Sequence, residues 1–105
     1  MSWVSEALSA LALGERVSIR PIGGSMRGRI ESGELVTLAP VPPESFQLDD
    51  VVFVRWKGNY LLHLVRDIEE DRVLIGNALG KTNGWIPRGD VLGKVVPTTQ
   101  GEQNG

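Results

Sequence analysis

The sequence predicts a small, mainly β domain that carries one short N-terminal helix. Two observations lead to it. Apolar residues recur at helical spacing only ahead of Gly14, and beyond it short β-branched runs are divided by Gly, Pro, Asn and Asp. A chain of 105 residues is enough for one domain with one modest core, burying about two thirds of its unfolded surface.

Taken in order, residues 2–13 are predicted to be the helix. Ser2 suits its N-cap, Glu6 lies near its first turn and Gly14 ends it. Trp3, Val4, Ala7, Leu8, Leu11 and Leu13 form its apolar stripe. Residues 15–22 set Val17, Ile19 and Pro21 against Ser18 and Arg20, the period of a half-buried strand. Residues 34–39 and 51–56 are β-branched runs, with Pro40 to Pro43 as a stiff connector between them. Lys57-Gly58-Asn59 is a turn signal, so 51–56 and 60–67 are predicted to form a hairpin. Glu69-Glu70-Asp71 reads as a solvated turn, 72–75 as the returning strand, and 91–96 as the strand that closes the sheet. Residues 98–105 are polar and predicted to be a disordered tail, which leaves 1–97 as the domain.

Composition narrows the chemistry. A net charge of −2 offers no basic surplus for phosphate backbones, so no nucleic-acid partner is expected. Trp56, Tyr60 and Trp85 accordingly read as core or rim aromatics rather than a base-stacking platform. Without cysteine there is no disulfide, thiolate metal site or cysteine nucleophile. A single histidine argues against zinc, and no cofactor is expected. The apolar stretch from Trp3 to Leu13 contains Glu6 and is about half the ~20 residues of a membrane span. It has no basic flank or cleavage pattern of a secretory signal. It reads as a helix packed on the domain, no membrane span is expected, and the expected location is cytoplasmic.

The residues that could carry chemistry are Ser25, in Ile22-Gly23-Gly24-Ser25-Met26, and the only histidine, His63. Two glycines before the serine let the backbone turn sharply and a substrate chain come close. A hydroxyl needs a neighbouring base to become a nucleophile, and an imidazole titrating near neutral pH can take its proton. His63 falls in the middle of a predicted strand, which would hold its ring rigidly. Asp67, four residues on, shares that side of the sheet if the strand stays regular, and would then be an orienting acid. Arg27 and Arg29, beside the serine, read as solvated loop charges or as a steering pair for an acidic peptide segment.

The ordered set Gly23-Gly24-Ser25-Met26, Ser32-Gly33-Glu34-Leu35-Val36, Asp50-Val51-Val52-Phe53, His63-Leu64-Val65, Ile75-Gly76-Asn77-Ala78-Leu79-Gly80 and Asp90-Val91-Leu92-Gly93-Lys94-Val95-Val96 resembles the signal peptidase and LexA-like serine peptidase superfamily, in its histidine-base form. The resemblance covers nearly all the chain after Arg16. It implies a small coiled β-sheet or partly open barrel, with Ser25 as nucleophile and His63 as general base. It also implies an oxyanion-binding turn at Gly24, Ser25 and Met26, and a peptide or protein substrate, with small residues favoured just before the cut.

The chain departs from the family pattern at several places. Gly23 stands where some relatives carry a hydroxyl that helps hold the oxyanion, and Gly28 where proline is usual. Asp49-Asp50 replaces Gly-Asp, and Leu64 replaces the arginine after the histidine. The two acids expected to support the histidine read as Asn77 and Asn83. An asparagine can accept a hydrogen bond from the imidazole but cannot neutralise its charged form, and aspartate-to-asparagine at that place in a serine protease costs ~10⁴ in turnover. The resemblance therefore implies either a serine endopeptidase working through an acyl-enzyme on Ser25, or a catalytically inactive module that keeps the peptide groove.

Overall fold

The computed structural model describes residues 3–22, 26, 28–40 and 47–97. Ser2, the connector after Pro40 and the tail from Thr98 lie outside the described residues. The helix α1 runs Trp3–Ala12. It stops where expected: Gly14 takes φ 76°, and the N–H groups of Gly14 and Glu15 donate to the carbonyls of Leu11 and Ala10 at 3.0 and 2.9 Å. A glycine reaches that left-handed geometry without a Cβ penalty.

Seven strands follow: β1 Val17–Ile19, β2 Val36–Ala39, β3 Val51–Trp56, β4 Asn59–Ile68, β5 Arg72–Gly76, β6 Thr82–Pro87 and β7 Val91–Val96. They form one antiparallel sheet in the order β1-β2-β7-β3-β4-β5-β6, which does not close on itself. The mainly β class with one short helix is therefore the observed architecture. Two expectations are corrected. Strand β7 does not close the sheet at an edge; it lies inside, between β2 and β3. Strand β6 has no counterpart in the sequence reading, because Asn83-Gly84 carries turn residues that separate Thr82 from Trp85 and Ile86, the residues that favour a strand. A short 3-10 turn, Arg88–Asp90, leads from β6 into β7.

The β3–β4 hairpin turns through Lys57 and Gly58, at φ 51° and 80°, with Trp56 facing Asn59. Its two-residue loop is tighter than the turn through Asn59 read from the sequence. Positive φ at both positions matches the right-handed twist of the flanking strands.

Side chains alternate along the strands, so the sheet carries apolar residues on both faces. One cluster lies under α1 and holds Ala7, Ile19, Leu38, Phe53, Leu62 and Leu64, joined by Met26 and Ile30. The opposite face gathers Val52, Val54, Val65, Val73, Ile75, Ile86 and Val91. Phe53 is fully buried, with the rings of Trp3 and Tyr60 at centroid distances of 5.5 and 6.0 Å.

Candidate functional site

Gly23, Gly24, Ser25 and Arg27 lie outside the described residues, but the frame that carries them is well defined. Pro21 and Gly33 are tied across the base of the loop: the Gly33 N–H donates to the Pro21 carbonyl at 2.8 Å. Arg20 adds a second tie, Nη1 donating to the Gly33 carbonyl at 3.0 Å. Inside the loop the Met26 carbonyl accepts from the N–H groups of Arg29 and Ile30 at 2.9 and 2.8 Å, forming a single turn. Met26 and Ile30 are buried in the cluster beneath α1.

Gly28 has a local reason to be glycine. It sits at φ 93° and donates its N–H to Glu31 Oε2 at 3.0 Å. Proline is locked near φ −65° and has no N–H, so it fits neither requirement. Arg29 is an exposed loop charge, one of the two readings given for it, and it also makes a tie. Its Nη2 donates to the Asp49 carbonyl at 2.9 Å, and the Asp49 N–H in turn donates to the Val65 carbonyl at 2.9 Å. The turn that follows the serine is thereby anchored two residues from His63. Asp49 itself takes φ 71°. That is a left-handed conformation, which explains why a glycine suits this place and why aspartate is tolerated there.

His63 lies in the middle of β4, opposite Val52, and is 6 % exposed. Alternation puts it on the face of Val52 and Val65, while its neighbour Leu62 enters the α1-side cluster. Ring atom Nδ1 is hydrogen-bonded to the Leu62 carbonyl oxygen. A carbonyl oxygen can only accept, so Nδ1 is the donor in this contact. A backbone dipole thus faces Nδ1, the ring nitrogen for which an acid was sought.

The three candidate orienting side chains fall elsewhere. Asn77 follows Gly76, where the β4–β5 register ends at Leu64. Its Oδ1, however, accepts from the N–H groups of Leu79 and Lys81, both at 2.9 Å. The oxygen is engaged in shaping the β5–β6 loop, as asparagine commonly is in turns, so Asn77 is a loop-former rather than the ring's acceptor. Asp67 fails for a different reason. The β4–β5 register shifts between Val65 and Asp67, and Ile68 then joins the face of Val65. This bulge turns Asp67 to the side away from His63, exposed, with Oδ1 accepting from the Ile68 N–H at 2.8 Å. Asn83 is the extra residue where β5 and β6 change register, with β5 between it and β4. Its Oδ1 is buried with no hydrogen-bond partner among the described residues, so it does not accept from the imidazole either.

Next to Met26 and Leu62 is a cavity of about 140 Å³. Trp3, Ile30, Tyr60 and Leu61 also line it, with Ile22 at 76 % exposure on its rim and Glu31 as the carboxylate in its wall. Its β4 residues, Tyr60 to Leu62, precede the β4–β5 pairing, which begins only at Leu64. Sequence reading missed the cavity, the Arg29 tie and the Leu62 carbonyl. A carbonyl is present at every residue and leaves no sequence signal, and the cavity joins α1, the serine loop and β4, which are remote in the chain.

No family model, curated protein or solved structure matches the chain. Among the described residues no helix is long and apolar enough to cross a membrane.

Proposed function

We propose that this protein is a serine peptidase of the signal peptidase and LexA-like type, with Ser25 as nucleophile and His63 Nε2 as general base. The observation that carries the reading is the pairing of their chain neighbours: Met26 and Leu62 pack in one cluster and line one cavity. The residue that follows Ser25 and the residue that precedes His63 thus lie against the same cavity, which brings the two chain segments together. The Leu62 carbonyl supports the same reading, because it engages Nδ1 and leaves Nε2 as the ring nitrogen available to the serine.

In the reaction, Nε2 takes the Ser25 hydroxyl proton as Oγ attacks a peptide carbonyl. The tetrahedral oxyanion is held by backbone N–H groups of the turn at Gly24, Ser25 and Met26. The imidazolium then gives its proton to the leaving amine, the acyl-enzyme forms, and a water activated by the same nitrogen releases it. The Leu62 carbonyl orients the ring throughout and stabilises the imidazolium as a dipole rather than as a full charge, so turnover is expected to be slow relative to an aspartate-supported triad.

A second reading follows from Asn77, Asp67 and Asn83. None of them brings a carboxylate to the ring, which favours a peptide-binding module that keeps the groove without turnover. One experiment separates the two. A fluorophosphonate should label the wild-type protein and leave Ser25→Ala unlabelled, while His63→Ala lowers the labelling rate by about 10²–10⁴. Labelling that persists in Ser25→Ala removes the peptidase reading. No labelling, with peptide binding retained in both variants, supports the binding module.

A further inference from the structure

We infer that β6 is a pairing edge for a second copy of this chain, joined about a two-fold axis at Trp85 so that two seven-stranded sheets become one. Strand β6 ends the sheet and, among the described residues, pairs with β5 alone. The direction of its polar groups follows from the β4–β5 turn. The Glu69 N–H donates to the Arg72 carbonyl at 2.9 Å, so Arg72 points its backbone groups at β4. Alternation then points those of Val73 and Ile75 at β6, which makes Val73↔Ile86 and Ile75↔Gly84 the hydrogen-bonded pairs. The N–H and C=O of Trp85 therefore face outward. Pro87 faces outward as well, the position in a sheet where a missing N–H costs no ladder bond.

Self-complementarity selects a second copy as the occupant. The outward backbone of Trp85 offers one donor and one acceptor, a set that its own two-fold image satisfies completely. Charge agrees with the antiparallel direction. Lys81 is exposed just ahead of β6, and the far end of β6 lies against the acidic turn Glu69-Glu70-Asp71. Arg88 fixes that end, its Nε donating to the Glu70 carbonyl and its Nη2 to the Glu69 carbonyl, both at 2.7 Å. Antiparallel pairing at Trp85 brings Lys81 of each copy to the acidic turn of the other, whereas parallel pairing would set like charge beside like. There is also room. Half-buried Trp85, with the Arg72 guanidinium 4.3 Å from its ring centre, borders an open hollow of about 330 Å³ together with Asp71, Arg72 and Pro87.

A single edge strand buries far less than the roughly 1,200 Å² of a stable interface, so the dimer is weak, with Kd of about 100 µM. Sedimentation of the full chain should accordingly show monomer at roughly 10 µM and mostly dimer at roughly 1 mM. Amide exchange locates the contact. The Trp85 N–H should exchange about fourfold more slowly at the higher concentration, while the Ile86 N–H, bonded to β5, stays protected at both. Lys81→Glu should weaken the dimer at least about fivefold. Trp85→Lys, with like charges meeting at the axis, should remain monomeric, and Ile86 protection in that variant shows that β6 still pairs with β5. A wild-type chain that is monomeric at both concentrations overturns the inference, even where an added extended peptide slows Trp85, because the occupant is then not a second copy. A dimer that leaves Trp85 exchange unchanged uses another surface and overturns it too. Equal protection of Trp85 at both concentrations does the same, since the chain would then cover its own edge.

Discussion

The two faces of the sheet are built from different kinds of contact. Six of the seven buried residues of one face, Val52, Val54, Val65, Val73, Ile75 and Ile86, come from β3 to β6, which follow one another along the chain and pair as successive hairpins, and Val91 of β7 joins them. The face under α1 collects residues from α1, β1, the serine loop, β2, β3 and β4 around Phe53. Aliphatic side chains on neighbouring strands can assemble the first face locally. The second forms only when remote segments arrive together, and it is there that the cavity and the buried turn at Met26 are found. The difference teaches that His63, on the first face, and the turn after the serine, on the second, have separate structural supports, although they share one sheet.

That separation can be broken most sharply at Phe53. Phe53→Ala should cost about 3–5 kcal/mol and expose α1 and the Met26–Ile30 turn to hydrogen exchange, whereas Ile75→Val on the other face should cost about 0.5–1.5 kcal/mol and leave both protected. Denaturant unfolding combined with amide exchange measures both, and equal losses with equal deprotection would merge the two faces into one unit. A smaller effect belongs to the loop itself. Gly28→Pro, at φ 93° and with a hydrogen-bonded N–H, should destabilise by more than about 1 kcal/mol in chemical unfolding. It should also slow fluorophosphonate labelling while the β3–β4 hairpin keeps its exchange protection. A proline variant with wild-type stability would show that the turn is not held in this geometry. The smallest effect is a gain. Asp49→Gly should leave stability unchanged or raise it by up to about 1 kcal/mol, since glycine relieves the left-handed strain but loses more backbone entropy on folding. A clear loss in thermal unfolding would mean that the Asp49 side chain contributes an interaction of its own.

Much of the fold was legible because its signals are local. The helix stripe ending at Gly14, the β3 run and the Lys57-Gly58 turn are each determined by residues within a few positions of one another. The candidate site was legible in part: His63 lies mid-strand, and Asn77 directly follows β5, the strand that pairs with β4 from Leu64 onward. What escaped was the direction in which side-chain atoms point. One bulge after Val65 reversed Asp67, and two backbone N–H groups of the β5–β6 loop took the oxygen of Asn77. Strand β6 escaped because glycine and asparagine at its start disguise a segment that pairing with β5 stabilises.

By itself, then, the amino-acid order determined the class of fold, the hairpins, and the two residue types, hydroxyl and imidazole, on which any hydrolytic chemistry would turn. Periodicity and turn chemistry act over a few residues and need no distant partner. Only the tertiary structure decided that β7 runs through the interior of the sheet, that Arg29 ties the serine loop to the start of β3, and that a backbone carbonyl holds the histidine ring. Those outcomes depend on register and on which polar group wins a given donor, and both are settled by segments that meet only when the chain has folded.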